Sequence, residues 1–490
     1  MLTRLKVSGF KNLVDVDIRL GPFTCIAGAN GVGKSNLFDA IRFLSALADR
    51  PLIDAALSVR DEEGKRGDVR SLFHRIGEDN DTKMSFEADI IIPKEGFDDF
   101  GQQAKAGITF LRYSLVLGLR VEDNLGMATL EILKEELIHL NIGDAPKHLL
   151  FPHRVRSWRQ SVLRGRRTSP LISTEGTDTD PNRIVKRHQD GRSGAPFQLL
   201  AANLPRTVLS VTNGKDSPTA LLARREMQSW HLLQLEPSAL RKPDELNAPT
   251  KLGEDGSHLP GTVYHLVHEK NQQSGKANTA IYGQIANRLA QLIEDVYDVS
   301  IDRDERRGLF TLQVTDRYGT TYPARSLSDG TLRFLALTVL ELDPQSEGLL
   351  CLEEPENGIH PERTPAMLQL LQDIATDTNN SVGIDNPLRQ VIINTHSPAV
   401  VGQVPDDSLL VAETKEAVKN GTGFKKVTFS CLPNTWRTKG GETNIVARGK
   451  LLAYLNPILP PEEANPPEER ERIQRVIDRP DLQYLLPGIS

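Results

Sequence analysis

Three short stretches carry side chains whose types and spacing suit phosphate chemistry. Gly28-Ala29-Asn30-Gly31-Val32-Gly33-Lys34-Ser35 fits G-x-x-x-x-G-K-[ST] at every fixed position. Glycines in such a loop let backbone N–H groups approach phosphate oxygens with no Cβ in the way. Gly28, Asn30, Gly31 and Gly33 are expected to form the cradle. Lys34 is expected to reach the β- and γ-phosphates of ATP, and the Ser35 hydroxyl to ligate Mg²⁺. The second stretch, Leu349-Leu350-Cys351-Leu352-Glu353-Glu354-Pro355, is an apolar run ending in two acids. Glu353 is placed to hold Mg²⁺ through water, although aspartate is commoner at such a position. Glu354 is the candidate general base or water-positioning residue. The third, Gln390-Val391-Ile392-Ile393-Asn394-Thr395-His396-Ser397-Pro398, places His396 at the end of another apolar run, where it can meet a γ-phosphate. Each has a plainer reading alone: a glycine turn, an acidic turn, a structural histidine. Their occurrence in one chain favours a single site.

A fourth stretch, Arg325-Ser326-Leu327-Ser328-Asp329-Gly330-Thr331-Leu332-Arg333, lies just upstream of the acids. A Ser-x-Gly turn that opens a helix offers a hydroxyl and backbone N–H groups to an anion. Ser328 or Asp329 also reads as the plain N-cap of a helix over Thr331–Leu340, and the two roles are compatible.

The elements that must position these residues follow from periodicity. Phe23–Ala27 reads as a buried strand leading into the glycine loop. Apolar residues then recur at helical spacing to about residue 48, and that helix adds its N-terminal partial charge to the phosphate site. Before it, residues 2–20 alternate like two antiparallel strands, interrupted by Gly9-Phe10-Lys11-Asn12. Further strands are expected at 84–92, 110–117, 128–133 and 309–314. Helical spacing covers Pro218–Leu235, with Ser217 as N-cap and Pro218 at the first position, and Ile281–Val296. A loop and helix start fall at 252–260. No sustained a/d heptads and no internal repeat are evident. The expected organisation is an N-terminal part at 1–94, an inserted α+β lobe at 95–305 and a second motif-bearing part at 306–430. A proline-broken extension follows at 431–490, with a short charged helix at Glu468–Ile477.

Bulk properties bound the class. Charged residues are 25% and hydrophobic residues 38% of 490, which suits a soluble globular chain. A net charge of −6 excludes a polycation, so any nucleic-acid site must be a local patch. Cys25, Cys351 and Cys431 have no metal spacing and read as buried, reduced thiols of a cytoplasmic protein. Strand-like alternation from Met1 onward leaves no room for a signal peptide. No apolar run reaches membrane-spanning length.

Taken together, the P-loop, Leu-Ser-Asp-Gly-Thr, Glu-Glu-Pro-Glu-Asn-Gly-Ile-His-Pro and Asn-Thr-His-Ser-Pro stretches resemble the ABC-type ATPase heads of the RecF/SMC/OLD group. The compact prokaryotic "AAA family ATPase" proteins are the nearest in kind, and Gly9-Phe10-Lys11-Asn12 resembles their opening motif. The resemblance covers roughly residues 1–45 and 320–400. It implies an α/β, two-lobed, mixed-sheet ABC-type P-loop head with a large insertion, ATP and Mg²⁺ as cofactors, and a homodimer or higher oligomer. It also implies that Ser328, Asp329 and Gly330 contact the γ-phosphate of ATP held by another protomer. Glu356–Pro361 matches the D-loop and His396 the switch histidine. The family's Q-loop glutamine has no clear match; Gln102 and Gln103 are available. Asp329 departs from the small residue usual at its position.

What such a head drives is read from what is attached. Coiled-coil arms are not seen, and too few residues follow His396 for a Toprim nuclease. A separate effector subunit, a nuclease or a toxin, is therefore the economical expectation, with phage defence as the setting implied by the resemblance. An ATP-dependent scaffold that silences a toxic partner, a DNA-maintenance ATPase, and a stand-alone nuclease within 95–305 remain open. Arg154, Arg156, Arg159, Arg164, Arg166 and Arg167 occur with no acid among them and with Trp158. Arg183, Lys186, Arg187 and Arg192 follow. Arginines beside an aromatic suit contact with DNA or RNA; a flexible solvated loop is the bland alternative.

Overall fold

The computed structural model describes residues 1–59, 68–77, 79–121, 128–190, 194–274, 280–419, 421–440, 444–447 and 449. The expected helix at Glu468–Ile477 and Arg192 lie outside them.

The phosphate-loop strand Phe23–Ala27 is buried at every residue. It lies inside a seven-stranded sheet of order Trp230–Leu233, Gly348–Glu353, Arg389–Thr395, Phe23–Ala27, Leu409–Lys419, Thr422–Cys431, Asn444–Ile445. The first five strands run parallel, and Thr422–Cys431 turns back antiparallel. Strands covered on both faces read as continuous apolar runs, not as alternation. The two faces separate cleanly. Ile26, Cys351, Ile392 and Leu410 point into one core, with Leu37, Phe38, Ile41 and Leu44 of the helix Lys34–Leu47. Cys25, Leu350, Leu352, Val391, Ile393 and Leu409 point into the other, with Leu332, Leu335 and Val339 of the helix Asp329–Leu342.

The first core is closed by an eight-stranded antiparallel sheet of order Phe197–Leu200, Ile184–Arg187, Ile172–Glu175, Ala128–His139, Phe110–Val121, Lys83–Ile91, Leu2–Ser8, Val16–Arg19. The expected hairpin at 2–20 is present, with Leu5 opposite Ile18 and Val7 opposite Val16. The second core is closed by the helices Leu259–Ser274 and Ala280–Ala290 and by a small sheet built on Val296–Asp304 and Leu309–Asp316. The stretch 95–305 is thus shared between the two large sheets and the helical layer.

Two expected helices end early. Pro218–Gln228 is helical, but Trp230–Leu233 is a strand paired parallel with Leu349–Leu352. Leu232 and Leu233 then bury on opposite faces of the sheet. Helical spacing hid this, because tertiary pairing overrides local periodicity. Pro218 opens its helix as expected, but Ser217 makes no side-chain cap, and its buried Oγ has no partner. The second helix stops at Ala290, and Val296 already belongs to a strand. The start of the 431–490 stretch packs into the main body: Trp436 and Arg437 are buried, and Arg437 donates to Arg19 O (3.0 Å) and Thr24 Oγ1 (3.2 Å). Cys25, Cys351 and Cys431 are buried free thiols, as expected.

Trp158 is a correction. It is fully buried, edge-on to Phe151 with ring centroids 5.4 Å apart, and joins Trp436, Val162 and Leu163 in a third apolar cluster. It offers no face to a base. Replacing Trp158 with Ala should cost ~3–5 kcal/mol, since large-to-small core changes leave a cavity. Arg156→Ala at the neighbouring exposed position should stay within about 0.5 kcal/mol. Urea midpoints for the two variants check this; equal midpoints would place Trp158 outside the core.

Candidate nucleotide-binding site

Parallel pairing sets which residues share a row at the carboxyl ends of the strands. Thr395 pairs with Ala27, Asn394 with Glu353, and Leu233 with Leu352. Gly28, Glu353, Glu354, His396 and Gln234 therefore emerge side by side, where ligands of open parallel sheets bind. A cleft of about 650 Å³ lies there. Asn30, Gly31, Gly33, Lys34 and Ser35 line it with Glu353, Glu354, Asn357 and Gln234. Its volume falls in the ~300–1,000 Å³ range of small-molecule sites.

The glycine loop is shaped from outside as well as by its own residues. Gly33 precedes the helix at φ +106°, and a Cβ there would meet the amide of Asn12. That amide donates to Val32 O (3.2 Å) and accepts from Asn36 Nδ2 (2.8 Å). Beside it, Lys11 Nζ binds the buried Asp39 of the helix at 2.7 Å. The Gly9–Asn12 turn thus pins the loop to the antiparallel sheet. Lys34 Nζ donates to Gly28 O (2.7 Å) and Ala29 O (3.0 Å). Burial pushes its pKa down, against the pull of Glu354, Glu353 and Glu356.

Glu354 lies one residue past its strand at φ +46°, a conformation that non-glycine residues adopt rarely and at a cost. Its N–H donates to Asn394 O at 3.0 Å. This bend aims the carboxylate sideways: Oε1 is 2.5 Å from His396 Nδ1, and Oε2 accepts from Asn357 Nδ2 at 2.9 Å. Burial raises the carboxyl's pKa, but the bonds from Asn357 and His396, with the charges of His396 and Lys34, outweigh it, and the net direction is down. Glu354 is therefore an ionised acceptor held by two donors. Glu356 behaves oppositely: burial pushes it up, and Thr395 Oγ1 donates to one of its oxygens.

Ser328 and Asp329 are exposed and lie outside the lining of this cleft. Ser328 caps the helix, accepting from Thr331 N–H at 3.2 Å. Asp329 pairs with Arg241. Gly330 is required by contact, because a Cβ there would collide with the Gly358 carbonyl oxygen. Further along the same helix, Arg333 does line the cleft, donating to Leu235 O (3.1 Å) and Asn357 O (2.9 Å). Gln234 lines the cleft, whereas Gln102 and Gln103, available for the expected Q-loop glutamine, lie on or beside the Glu95–Phe97/Gln103–Lys105 hairpin and do not. The oxygen donors Ser35 and Glu353 both line the cleft and suit a hard cation such as Mg²⁺. Among the described residues no group of three or more His, Cys, Asp or Glu side chains could hold a metal unaided.

Comparison with known proteins agrees with this geometry. The family profile described as "AAA domain, putative AbiEii toxin, Type IV TA system" matches residues 23–97 and 163–402, well over half of the chain. The chain belongs to this AAA-domain family. Its α/β architecture, with the glycine-loop strand inside a mixed, mainly parallel sheet, is consistent with the expected P-loop head. It is similar to the OLD nuclease of Thermus scotoductus, 51% identical over 41 residues, 8% of each chain. It is also similar to the DNA replication and repair protein RecF of Paenarthrobacter aurescens, 41% identical over 58 residues, 11% of this chain and 14% of that protein. The matched stretches are thus a small part of both relatives. The solved SMC head bound to the C-winged helix domain of ScpA aligns over 88% of this chain and 98% of its own, at 13% identity and a TM-score of 0.45. No helix among the described residues of this AAA-domain chain is long and apolar enough to cross a membrane.

The depressed Glu354 pKa gives a pH signature. Its contribution to stability is complete above the ordinary carboxylate value of 4.5 and is lost as pH falls through the lower folded value. Asn357→Ala removes one donor, so the folded value should rise. The acid flank of the thermal-unfolding profile should then move to higher pH; flanks that superimpose on wild type would refute the assignment.

Proposed function

We propose that the chain binds ATP with Mg²⁺ in this cleft, hydrolyses it to ADP and phosphate, and does so as a dimer that shares its sites. The observation that carries the reading is the gathering of Lys34, Glu353, Glu354 and Gln234 around one cleft, with His396, which does not itself line it, bonded to Glu354. Lys34 and the N–H groups of Gly31 to Ser35 would hold the phosphates. Ser35 and Glu353 would hold the ion, which supplies neutralising charge to the phosphate oxygens. Glu354, kept ionised, would accept a proton from water or orient it toward the γ-phosphate. His396 holds the Glu354 carboxylate and would meet the same phosphate. Such positioned bases contribute ~10²–10⁴-fold to rate. Ser328–Gly330 stand exposed or packed away from the cleft, which supports their use by a second copy. The proposed output is control of a separate effector, a nuclease or toxin, in response to nucleic acid. The family description favours a toxin-control setting, and phage defence is the use we infer.

A second reading, a scaffold in which ATP binding silences a toxic partner, is favoured by Glu353 in place of the commoner aspartate. Two measurements separate the readings. Glu354→Gln should bind ATP, lose turnover by ~10²-fold or more, and accumulate ATP-bound dimers in light scattering. Lys34→Ala and Ser328→Arg should each be inactive alone yet regain turnover when mixed, because one of the two shared sites is then intact. Absence of turnover in active wild type favours the scaffold. Failure of the mixture to recover sinks the shared site.

A further inference from the structure

Two helices meet at their C-terminal ends. Lys34–Leu47 comes from the glycine loop, and Pro218–Gln228 precedes the strand Trp230–Leu233. Gln228 Nε2 ties the ends together, donating to Ala48 O and Asp49 Oδ1, each at 3.2 Å. A second cavity, of about 330 Å³, opens between them and shares no lining residue with the nucleotide cleft. Its volume lies near the lower end of the ~300–1,000 Å³ range of small-molecule sites, which suits a compact ligand. Its walls carry Arg42, Arg50, Arg224 and Arg225.

Basic residues near helix C-termini are ordinary, because they compensate the negative end of the macrodipole. Two features go beyond compensation. Arg224 is 8% exposed, and its buried Nε has no hydrogen-bond partner, although Nη1 donates to Thr212 O (2.9 Å). A buried N–H on a charged group is costly unless a ligand or water supplies the acceptor. Arg42 is half-buried and Arg50 exposed, and among the described residues no carboxylate pairs with either. Elsewhere arginines are engaged: Arg112 with Asp89, Arg288 with Glu341, and Arg167 with Asp190.

The cavity also shows how an anion is held there. Asp98 closes the tip of the Glu95–Phe97/Gln103–Lys105 hairpin, accepting from Phe100 N (2.9 Å) and Gln102 N (2.8 Å). That turn presents Asp99, whose oxygens take one arginine each. Oδ2 is 2.6 Å from Arg224 Nη2, and Oδ1 is 2.5 Å from Arg225 Nη2. The Asp99 side chain is 54% exposed, so the anion on these two arginines sits at a surface hairpin tip and not in the core. The other acids of the wall are engaged. Glu254 is bonded to His231 Nδ1 at 2.9 Å, although the Arg42 and Arg50 charges reach it, and Asp49 takes the Gln228 amide. Trp230 lines the cavity but is 2% exposed, and its indole N–H goes to Glu226 (3.1 Å), so it offers no face to a base. Guanidinium forks around a compact space match the oxygens of closely spaced phosphates.

We propose that this cavity is a second anion site, which takes a diphosphate group on Arg42, Arg50, Arg224 and Arg225, with Asp99 as the internal anion that the ligand displaces. The phosphates alone are read, and nothing attached to them. The site stands apart from whatever the nucleotide cleft binds.

The test is calorimetric titration of the full chain with sodium pyrophosphate, in a Lys34→Ala background so that the glycine loop does not contribute. One pyrophosphate should bind per chain. Adding Arg42→Gln/Arg50→Gln should weaken binding about tenfold or more, because charge-assisted bonds to the phosphates are lost. Its melting temperature should stay unchanged, since neither guanidinium pairs with a carboxylate of the chain. Asp99→Asn should tighten binding several-fold, because the internal competitor loses its charge. Arg306→Gln/Arg307→Gln, on an exposed turn, should change nothing. Orthophosphate and citrate should bind more weakly than pyrophosphate, and ADP no more tightly. Absence of saturable binding, equal affinity in the Arg42/Arg50 variant, equal loss in the control, or weaker binding by Asp99→Asn would each overturn the site. Citrate or orthophosphate bound as tightly as pyrophosphate, or ADP bound more tightly, would overturn the diphosphate assignment.

Discussion

Parallel hydrogen bonding among Trp230–Leu233, Gly348–Glu353, Arg389–Thr395 and Phe23–Ala27 fixes the register on which the site depends. These segments are far apart in sequence, and nothing local forces Glu353 level with Asn394 or Ala27 level with Thr395. The register is set by burial on both faces: a slip of one residue would exchange Ile26 with Cys25 and Ala27 between two filled cores. Packing therefore does the positioning that the chemistry requires.

Around that row, secondary contacts tune individual groups. Asn12 shapes the glycine loop from a turn in the other sheet. Asn357 and His396 keep Glu354 charged, and Asn394 takes the N–H of its strained peptide. Arg333 joins the segments after Gln234 and Glu354 through their carbonyls. These partners come from several elements, so the site is distributed across both cores.

Much of the site was legible in the sequence because its motifs are local. The glycine loop with its helix, the acidic strand end and His396 each carry their own strand or helix beside them. Gln234 was not legible, because Trp230–Leu233 continues the spacing of the helix before it, and only pairing with Gly348–Glu353 makes it a strand. Trp158 misled for a similar reason. A tryptophan among arginines reads as surface, and the cluster that buries it beside Phe151 is completed by Leu388 and Trp436, far along the chain. The antiparallel sheet was visible as strands, but its order requires long-range pairing such as Leu5 with Ala88, which no local pattern encodes.

The contact between Gly330 and the Gly358 carbonyl has a mechanical consequence. With no side chain between them, the turn that opens one helix packs directly on the loop that follows Glu354. Arg333, bound to Asn357 O one turn away, locks the same pair a second time. A load applied at Ser328 is thus delivered to the base of Glu354 in the same chain. If a neighbour's triphosphate supplies that load, each protomer gauges its partner's nucleotide while holding its own, and the two firing events lose their independence.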